Sequence, residues 1–338
     1  MRHVGATPEQ AERVFEAVKS YQGFGFAESH AWAFALHAYA SGWLRIHYPA
    51  EYLAAIMTEE PGMWSQSTKR HEAKNWGVPF LPLDVNRSGA HFRVERARRS
   101  GKPVKAVRPP LCAVKGVSSD AAREVLLERL RAGPFASIDD LYARVALDRN
   151  VLEVLVRAGA LDALGERRDL LYRVGVLTGS APAGQQPLLA TPVPAPDLEP
   201  LGEAGRLVWD MHTTRFSTLE LHPIDLVRDQ LRELAAISLQ EVARRPRGAR
   251  VRSAGLVVSR QRPPTAKGFA FYVIEDGPVR AQLIISPDLW TTHRTLVRDA
   301  LVLVADAEVV DTGYQLTLKA ETLAMVTGPI GVRGYEFG

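Results

Sequence analysis

From Val251 onward the apolar residues stop recurring at a helical period and begin to alternate. Val251–Val258, Phe269–Glu275, Val279–Ile285, Leu301–Val310 and Tyr314–Glu321 read as five short strands. A helix-like segment, Asp288–Val297, falls between the third and the fourth. Three strands, a helix and two strands is the order of an OB-fold, a small β-barrel often built to receive single-stranded nucleic acid. The same five strands suit another small barrel as well. Period two puts Phe269 and Phe271 on one face, so both point in or both point out.

Everything before that switch is helical in pattern. Thr7-Pro8-Glu9 starts a helix with Pro in its first turn, and Ala11, Val14, Phe15 and Val18 share a face. Ser29 to Arg45 is apolar almost all round, which predicts a helix that is buried or inside a larger interface. Tyr48-Pro49 stops it, and Ala50 to Met57 begins another; residues 65–75 form a polar helix. Val78 to Asn86, punctuated by Pro79 and Pro82, reads as extended. Residues 96–108 hold six basic side chains in thirteen, interrupted by Gly101 and Pro103, as an exposed loop or hairpin would. Short helices then alternate with glycine turns to Leu164, and residues 179–200 carry six prolines, which marks a linker. The resulting division is 1–95 helical, 96–178 basic loop and helical hairpin, 179–200 linker, 201–245 helical connector, 246–325 barrel and 326–338 tail.

A chain of 338 residues is long enough for two or three such domains. Its net charge of +4 is modest for a nucleic-acid binder, so the placement of charge matters more than the total. The single cysteine, Cys112, excludes an internal disulfide framework and any multi-thiolate metal site. No apolar run has the length of a membrane span or the setting of a signal peptide, so the expectation is a cytoplasmic protein with no membrane partner.

Three places carry candidate chemistry. Gly23-Phe24-Gly25-Phe26-Ala27-Glu28-Ser29-His30 combines a permissive backbone with Ser29 as N-cap and a helix start suited to phosphate, although a capped core helix explains the same residues. Leu111–Leu130 has the shape of a helix-hairpin-helix, with the turn Lys115-Gly116-Val117 leading into a helix at Asp120. Such turns hold a DNA phosphate by backbone amides and read no sequence. Ser118 stands where a second glycine is usual, and either Ser118 or Ser119 is placed to cap the helix. The third place is basic charge. Arg96, Arg98, Arg99, Lys102, Lys105 and Arg108 form one cluster, and Arg244, Arg245, Arg247, Arg250 and Arg252 another. Arg260, Arg262 and Lys267 lie in the loop joining the first two barrel strands, next to Phe269, Phe271 and Tyr272. Charge beside aromatic faces suits single strands, while solvated charge and barrel-filling aromatics are the plainer explanation.

Gly25 to Leu53, followed by Val78 and Pro82-Leu83-Asp84-Val85-Asn86, resembles the fingers region of the alpha subunit of bacterial DNA polymerase III, and is most similar to its error-prone paralogue. The resemblance runs in register to about Leu323. It implies a multidomain α+β protein: all-α fingers and helix-hairpin-helix region, then a five-stranded OB-fold barrel. It implies that Gly25, Phe26, Ser29 and His30 lie on the nucleotide and primer side of an active site. Lys115, Gly116, Val117 and Ser118 then become DNA contacts, together with Arg96, Arg98, Arg99, Lys102, Arg260, Arg262, Lys267 and Phe269. The implied partners are template-primer and single-stranded DNA, a palm-containing polymerase chain and other translesion proteins, in replication and repair. Where replicative relatives carry a basic residue before Ser-His, this chain has Glu28.

Nucleotidyl transfer needs two divalent metals held by carboxylates. The family's Pro-Asp-x-Asp-x-Asp palm motif does not occur here, and Asp139-Asp140 is the only adjacent Asp pair. Mg2+ and dNTP are therefore expected only together with a palm domain, and the chain alone is expected not to polymerise DNA. Met1 just ahead of a helix start fits a short open reading frame, half of a split gene and a frameshift remnant alike. A non-catalytic DNA-binding accessory protein, using hairpin and barrel only, is the competing expectation.

Overall fold

A computed structural model describes residues 7–20, 28–60, 66–180, 196–214, 217, 221–311, 315–326 and 335–336. Gly25, Phe26 and most of the proline-rich linker lie outside the described residues. The chain divides into two compact units, residues 1–52 and 53–338.

The first unit holds α1 (Pro8–Ser20), α2 (Glu28–His47) and the start of α3 (Pro49–Glu59). Thr7 and Gln10 cap α1 reciprocally, side chain to amide in both directions. No residue of α2 is buried, and Trp32, Phe34, Leu36, Tyr39 and Ile46 are each more than 60% exposed. Within the first unit, the described residues do not supply the burial that its all-round apolarity leads one to expect.

The second unit begins with the rest of α3 and α4 (Gln66–Asn75). The polar composition of α4 suggests a solvated helix, yet Lys69 and Arg70 are buried. The Arg70 guanidinium lies 5.5 Å from the Phe80 ring and reaches the Thr214 carbonyl; burial lowers its pKa to about 9. Residues 78–88 are extended and then turn. Asp84 accepts from the Asn86, Arg87 and Ser88 amides, and the Asn86 side chain both donates to and accepts from the Phe135 backbone, at 2.8 and 2.7 Å. The Pro82–Asn86 stretch is therefore a clip that holds Leu83 and Val85 in the helical core.

Antiparallel strands β1 (Arg93–Arg99) and β2 (Lys102–Arg108) form a separate two-stranded ribbon, so the basic segment is a hairpin and not a loop. Next come α5 (Ser119–Ala132), α6 (Ile138–Arg144), α7 (Arg149–Arg157) and α8 (Arg167–Ser180). They close around Leu111, Leu141, Leu152, Leu155, Leu161 and Val174, all 0% exposed. The connector contains α9 (Glu203–Thr214), α10 (Arg228–Glu233) and α11 (Leu239–Val242). Arg167 joins α9 to this core: its guanidinium reaches Asp162 and Asp210 at 2.8 Å and the Arg157 carbonyl at 2.9 Å. Desolvation raises the Asp210 pKa against the pull of Arg167, as expected where burial outweighs attraction.

The barrel consists of β3 (Arg250–Gln261), β4 (Ala270–Asp276), β5 (Val279–Ile285), β6 (Val302–Asp311) and β7 (Leu316–Val326). Their order is β4-β5-β7-β6-β3, and β3 pairs with β4 to close the ring. Only β5–β7 is parallel among these five pairings. That is OB connectivity, with α12 (Pro287–Thr292) and α13 (Arg294–Asp299) between the third and fourth strands. One long strand, β3, serves both neighbours by bending at a bulge between Val257 and Ser259. At Gly255 a Cβ would lie 2.7 Å from that of Ile274, so the approach of β3 to β4 requires glycine there. Below the barrel, His222 donates from Nε2 to Glu275 while its Nδ1 accepts from the Ile224 amide, and Arg228 bridges Asp225 and Asp276.

Removing Arg167 would leave Asp210 buried without its cation. Arg167→Met should cost about 3–5 kcal/mol in urea unfolding, and Arg167→Met/Asp210→Leu should recover much of that loss.

Candidate nucleic-acid interface

Register sorts the charges of the ribbon. Arg96 faces Lys105 and Arg98 faces Pro103, on the same side as Val94 and Val107. That side carries Arg96, Arg98 and Lys105 with no acid among its ladder positions. Like charges directly opposite repel one another, and a polyanion laid across them would relieve the repulsion. The other side holds Glu95, which pairs with Arg87, Arg93 and Arg108. Hydrogen bonding from Arg108, above all, holds the Glu95 carboxyl below the usual range. Arg108 is 3% exposed and also donates to the Pro82 carbonyl, so it leaves the basic cluster as a structural residue. Arg99 faces Lys102 at the exposed tip.

The helical hairpin is built differently from its sequence outline. After Pro109-Pro110 the first helix is a single 3-10 turn, Leu111–Ala113. Lys115 and Gly116 are exposed, but the Lys115 amide donates to the Thr213 carbonyl of α9 at 2.8 Å and is not open to a phosphate. Gly116 has φ +96°, with nothing nearer to a Cβ than Val154 at 3.8 Å; its backbone conformation requires glycine, not the space around it. Val117 is buried, and its amide bonds the Val114 carbonyl, so it anchors the turn as a core residue. Ser118 is the cap: its hydroxyl accepts from the Ala121 amide at 3.1 Å. The exposed groups at this tip include the Lys115 side chain, the Gly116 backbone and Ser119, with Asp120 opposing an anion on the next turn.

In the barrel loop the four expected contacts separate. Arg260 is 6% exposed and donates to the Val297 and Ala300 carbonyls, which corrects its reading as a DNA contact. Arg262 is exposed but lies over Trp290, its guanidinium carbon 3.9 Å from the ring centre, with that of Arg294 at 5.6 Å. Lys267 is exposed, at the left-handed end of the turn Pro264–Ala266. Phe269 precedes β4, and both it and Phe271 are half-buried; Tyr272 points inward, its hydroxyl on the Val297 carbonyl. In the second arginine cluster, Arg252 forms a two-pronged pair with Asp306, whose pKa it lowers to about 2, and Arg250 pairs with Glu321. Arg244, Arg245 and Arg247 are exposed.

On the N-terminal unit, Ser29 and His30 are exposed in the first turn of α2. Because the helix begins at Glu28, Ser29 lies inside it and is not the cap; an acid at that start suits the positive end of the helix dipole. The His30 ring sits 4.3 Å from that of Phe34. The chain's Asp pair does not fit a metal: Asp139 is held by Arg173, while Asp140 takes Arg144 at 2.9 Å and the Ala136 amide. Among the described residues no cluster of three or more His, Cys, Asp or Glu is placed to bind a metal ion, and no helix is long and apolar enough to cross a membrane.

The helix-hairpin-helix motif matches residues 77–171. An error-prone DNA polymerase of Mycolicibacterium paratuberculosis is 32% identical over 98% of this chain and 30% of its own length. Those of Burkholderia mallei and of Anaeromyxobacter dehalogenans strain 2CP-1 are 37% and 36% identical, over 88% and 100% of this chain and 27% and 30% of theirs. The chain thus spans about 30% of the length of these relatives.

The cap can be tested by itself. Ser118→Ala should lower stability to denaturant by about 1 kcal/mol, whereas Ser118→Gly should cost only a few tenths.

Proposed function

We propose that this chain, related along nearly its whole length to error-prone DNA polymerases, supplies the DNA-holding part of such an enzyme and works with a palm-bearing chain in copying damaged DNA. The observation that carries the reading is the one-sided ribbon. A two-stranded ribbon fits a DNA groove, and this one sets Arg96, Arg98 and Lys105 on one face while its only carboxylate is neutralised on the other. Lys115 and Gly116 at the hairpin tip would add a backbone contact that reads no sequence. Lys267 and the outward side of β4 would receive the single-stranded template.

The exposed apolar surface of α2 supports the second half of the proposal. Trp32, Phe34, Tyr39 and Ile46 are exposed on a helix that no other described residue of the first unit buries. An apolar surface of that extent on a stable protein marks an interface. A palm that brings the metal-binding carboxylates, and with them Mg2+ and dNTP, would set Gly25, Phe26, Ser29 and His30 on its nucleotide side. The accessory-protein reading rests on a different observation, namely that the described residues hold no carboxylate set for metal. The two readings part on α2, which an accessory protein would not use.

Two experiments test the proposal. Arg96→Ala/Arg98→Ala should weaken DNA binding to a similar degree across sequences and reduce the salt slope of log K by about one to two, measured by fluorescence anisotropy. An unchanged slope would remove the ribbon from the interface. Primer extension should appear only when a palm-bearing fragment of a relative is added. Tyr39→Glu/Ile46→Glu should abolish that extension while leaving DNA affinity unchanged. Extension by the chain alone would overturn the division of labour.

A further inference from the structure

An open groove of about 570 Å³ runs along α7 between α8 and α9, and none of the residues assigned above to DNA lines it. Trp209 and Tyr172 give it two half-buried aromatic side chains, and Arg149, Arg157 and Arg168 stand around them. Elsewhere in this unit arginine covers aromatic faces: Arg144 over Phe135, Arg70 over Phe80, Arg260 over Tyr272 and Arg262 over Trp290. Among the described residues no guanidinium or second ring stacks on Trp209 or Tyr172.

The charges follow the helix. Arg149, Glu153 and Arg157 recur every fourth residue, so they form one stripe with the arginines about 12 Å apart at 1.5 Å per residue. Glu153 accepts from Arg149 at 2.7 Å and from Arg157 at 2.9 Å, and those contacts, Arg149 first, lower its pKa. Each of these arginines gives Glu153 one of its five N–H groups, and they remain 60% and 39% exposed. With Arg168 the groove holds three cations against one carboxylate. Its position is fixed relative to the hairpin tip. Trp209 lies one turn before Thr213, whose hydroxyl bonds the Trp209 carbonyl and whose own carbonyl holds the Lys115 amide.

We propose that this groove is a stacking site for unpaired nucleobases, with its arginines on the flanking phosphates, for single-stranded DNA continuing from the duplex at the hairpin tip. The proposal rests on the DNA-holding reading above and adds a second, strand-selective site to it. Stacking on an aromatic ring discriminates single strand from duplex, since only unpaired bases present their faces. Charge complementarity favours a polyanion, and the aromatic floor favours one that carries rings over an acidic peptide.

The test uses the full chain with a labelled oligothymidylate and a blunt duplex, followed by anisotropy. Trp209→Leu should weaken oligothymidylate binding about fivefold or more and leave duplex binding unchanged, and Trp209→Phe should restore most of the loss. Arg149→Ala/Arg157→Ala, at side chains that remain partly in solvent, keeps the test valid should Trp209→Leu not fold; it should lower single-strand affinity and reduce the salt slope by about 1.4. Glu153→Gln, which releases both arginines from their carboxylate, should tighten single-strand binding, an effect that a merely structural ion pair would not produce. Unchanged single-strand affinity in the double arginine variant, equal losses on duplex, or displacement of the oligothymidylate by polyglutamate at comparable concentration would each overturn the site. Wild-type binding to duplex alone would overturn the groove but spare the DNA-holding reading. No binding to either DNA would overturn both.

Discussion

The Arg167 guanidinium is the contact that ties α9 to the helical core of the second unit. It is 6% exposed and donates four hydrogen bonds, two to Asp162, one to Asp210 and one to the Arg157 carbonyl. Through Asp210 it seats α9 against the helical hairpin, and α9 in turn bonds the amide at the hairpin tip and carries Trp209. A buried charge of this kind is a poor source of net stability compared with an apolar replacement. Its value is geometric: the pair is satisfied in one arrangement of α8 and α9 and costly in any other. The position of the hairpin tip relative to the groove is set by that arrangement.

A similar economy governs the arginines as a set. Those that meet carboxylates or carbonyls within the fold, Arg108, Arg129, Arg144, Arg167, Arg252 and Arg260, act as ties between segments distant in sequence. Those on the other side of the ribbon, Arg96, Arg98 and Lys105, share one exposed face, with Arg96 directly opposite Lys105. Net charge of +4 averages over these two populations and describes neither. The unit 1–52 presents the opposite situation, with aromatic surface and little charge on α2. Water is a poor partner for such a helix, and the apolar area itself is the driving force for whatever covers it.

Much of this was legible without coordinates. Alternation and short apolar runs located all five barrel strands, although β3 and β6 bury both faces in their middle; the last strand runs five residues further than its pattern, to Val326, where β6 still offers partners. The proline at the start of α1, the glycine at 116 and the serine cap at 118 follow from local backbone geometry, which sequence encodes directly. Less legible were α4, whose polar composition hides two buried cations, and the run 96–108, where composition fitted a loop or a ribbon equally well.

The sequence by itself determined the order of elements, the turns and caps between them, and the kinds of side chain available to meet DNA, since these depend on residues within a few positions of one another. Only the tertiary structure decided which of those side chains are free to do so. Arg260 and Arg262 are two residues apart in one basic run, yet one is sealed against Val297 and Ala300 and the other lies on Trp290 at the surface. Arg149, Tyr172 and Trp209 are scattered over sixty residues and carry no motif, yet they line one groove. The reason is the same in both cases: the energy of a charge or an aromatic face depends on what stands within a few ångströms of it, and here those neighbours come from distant parts of the chain.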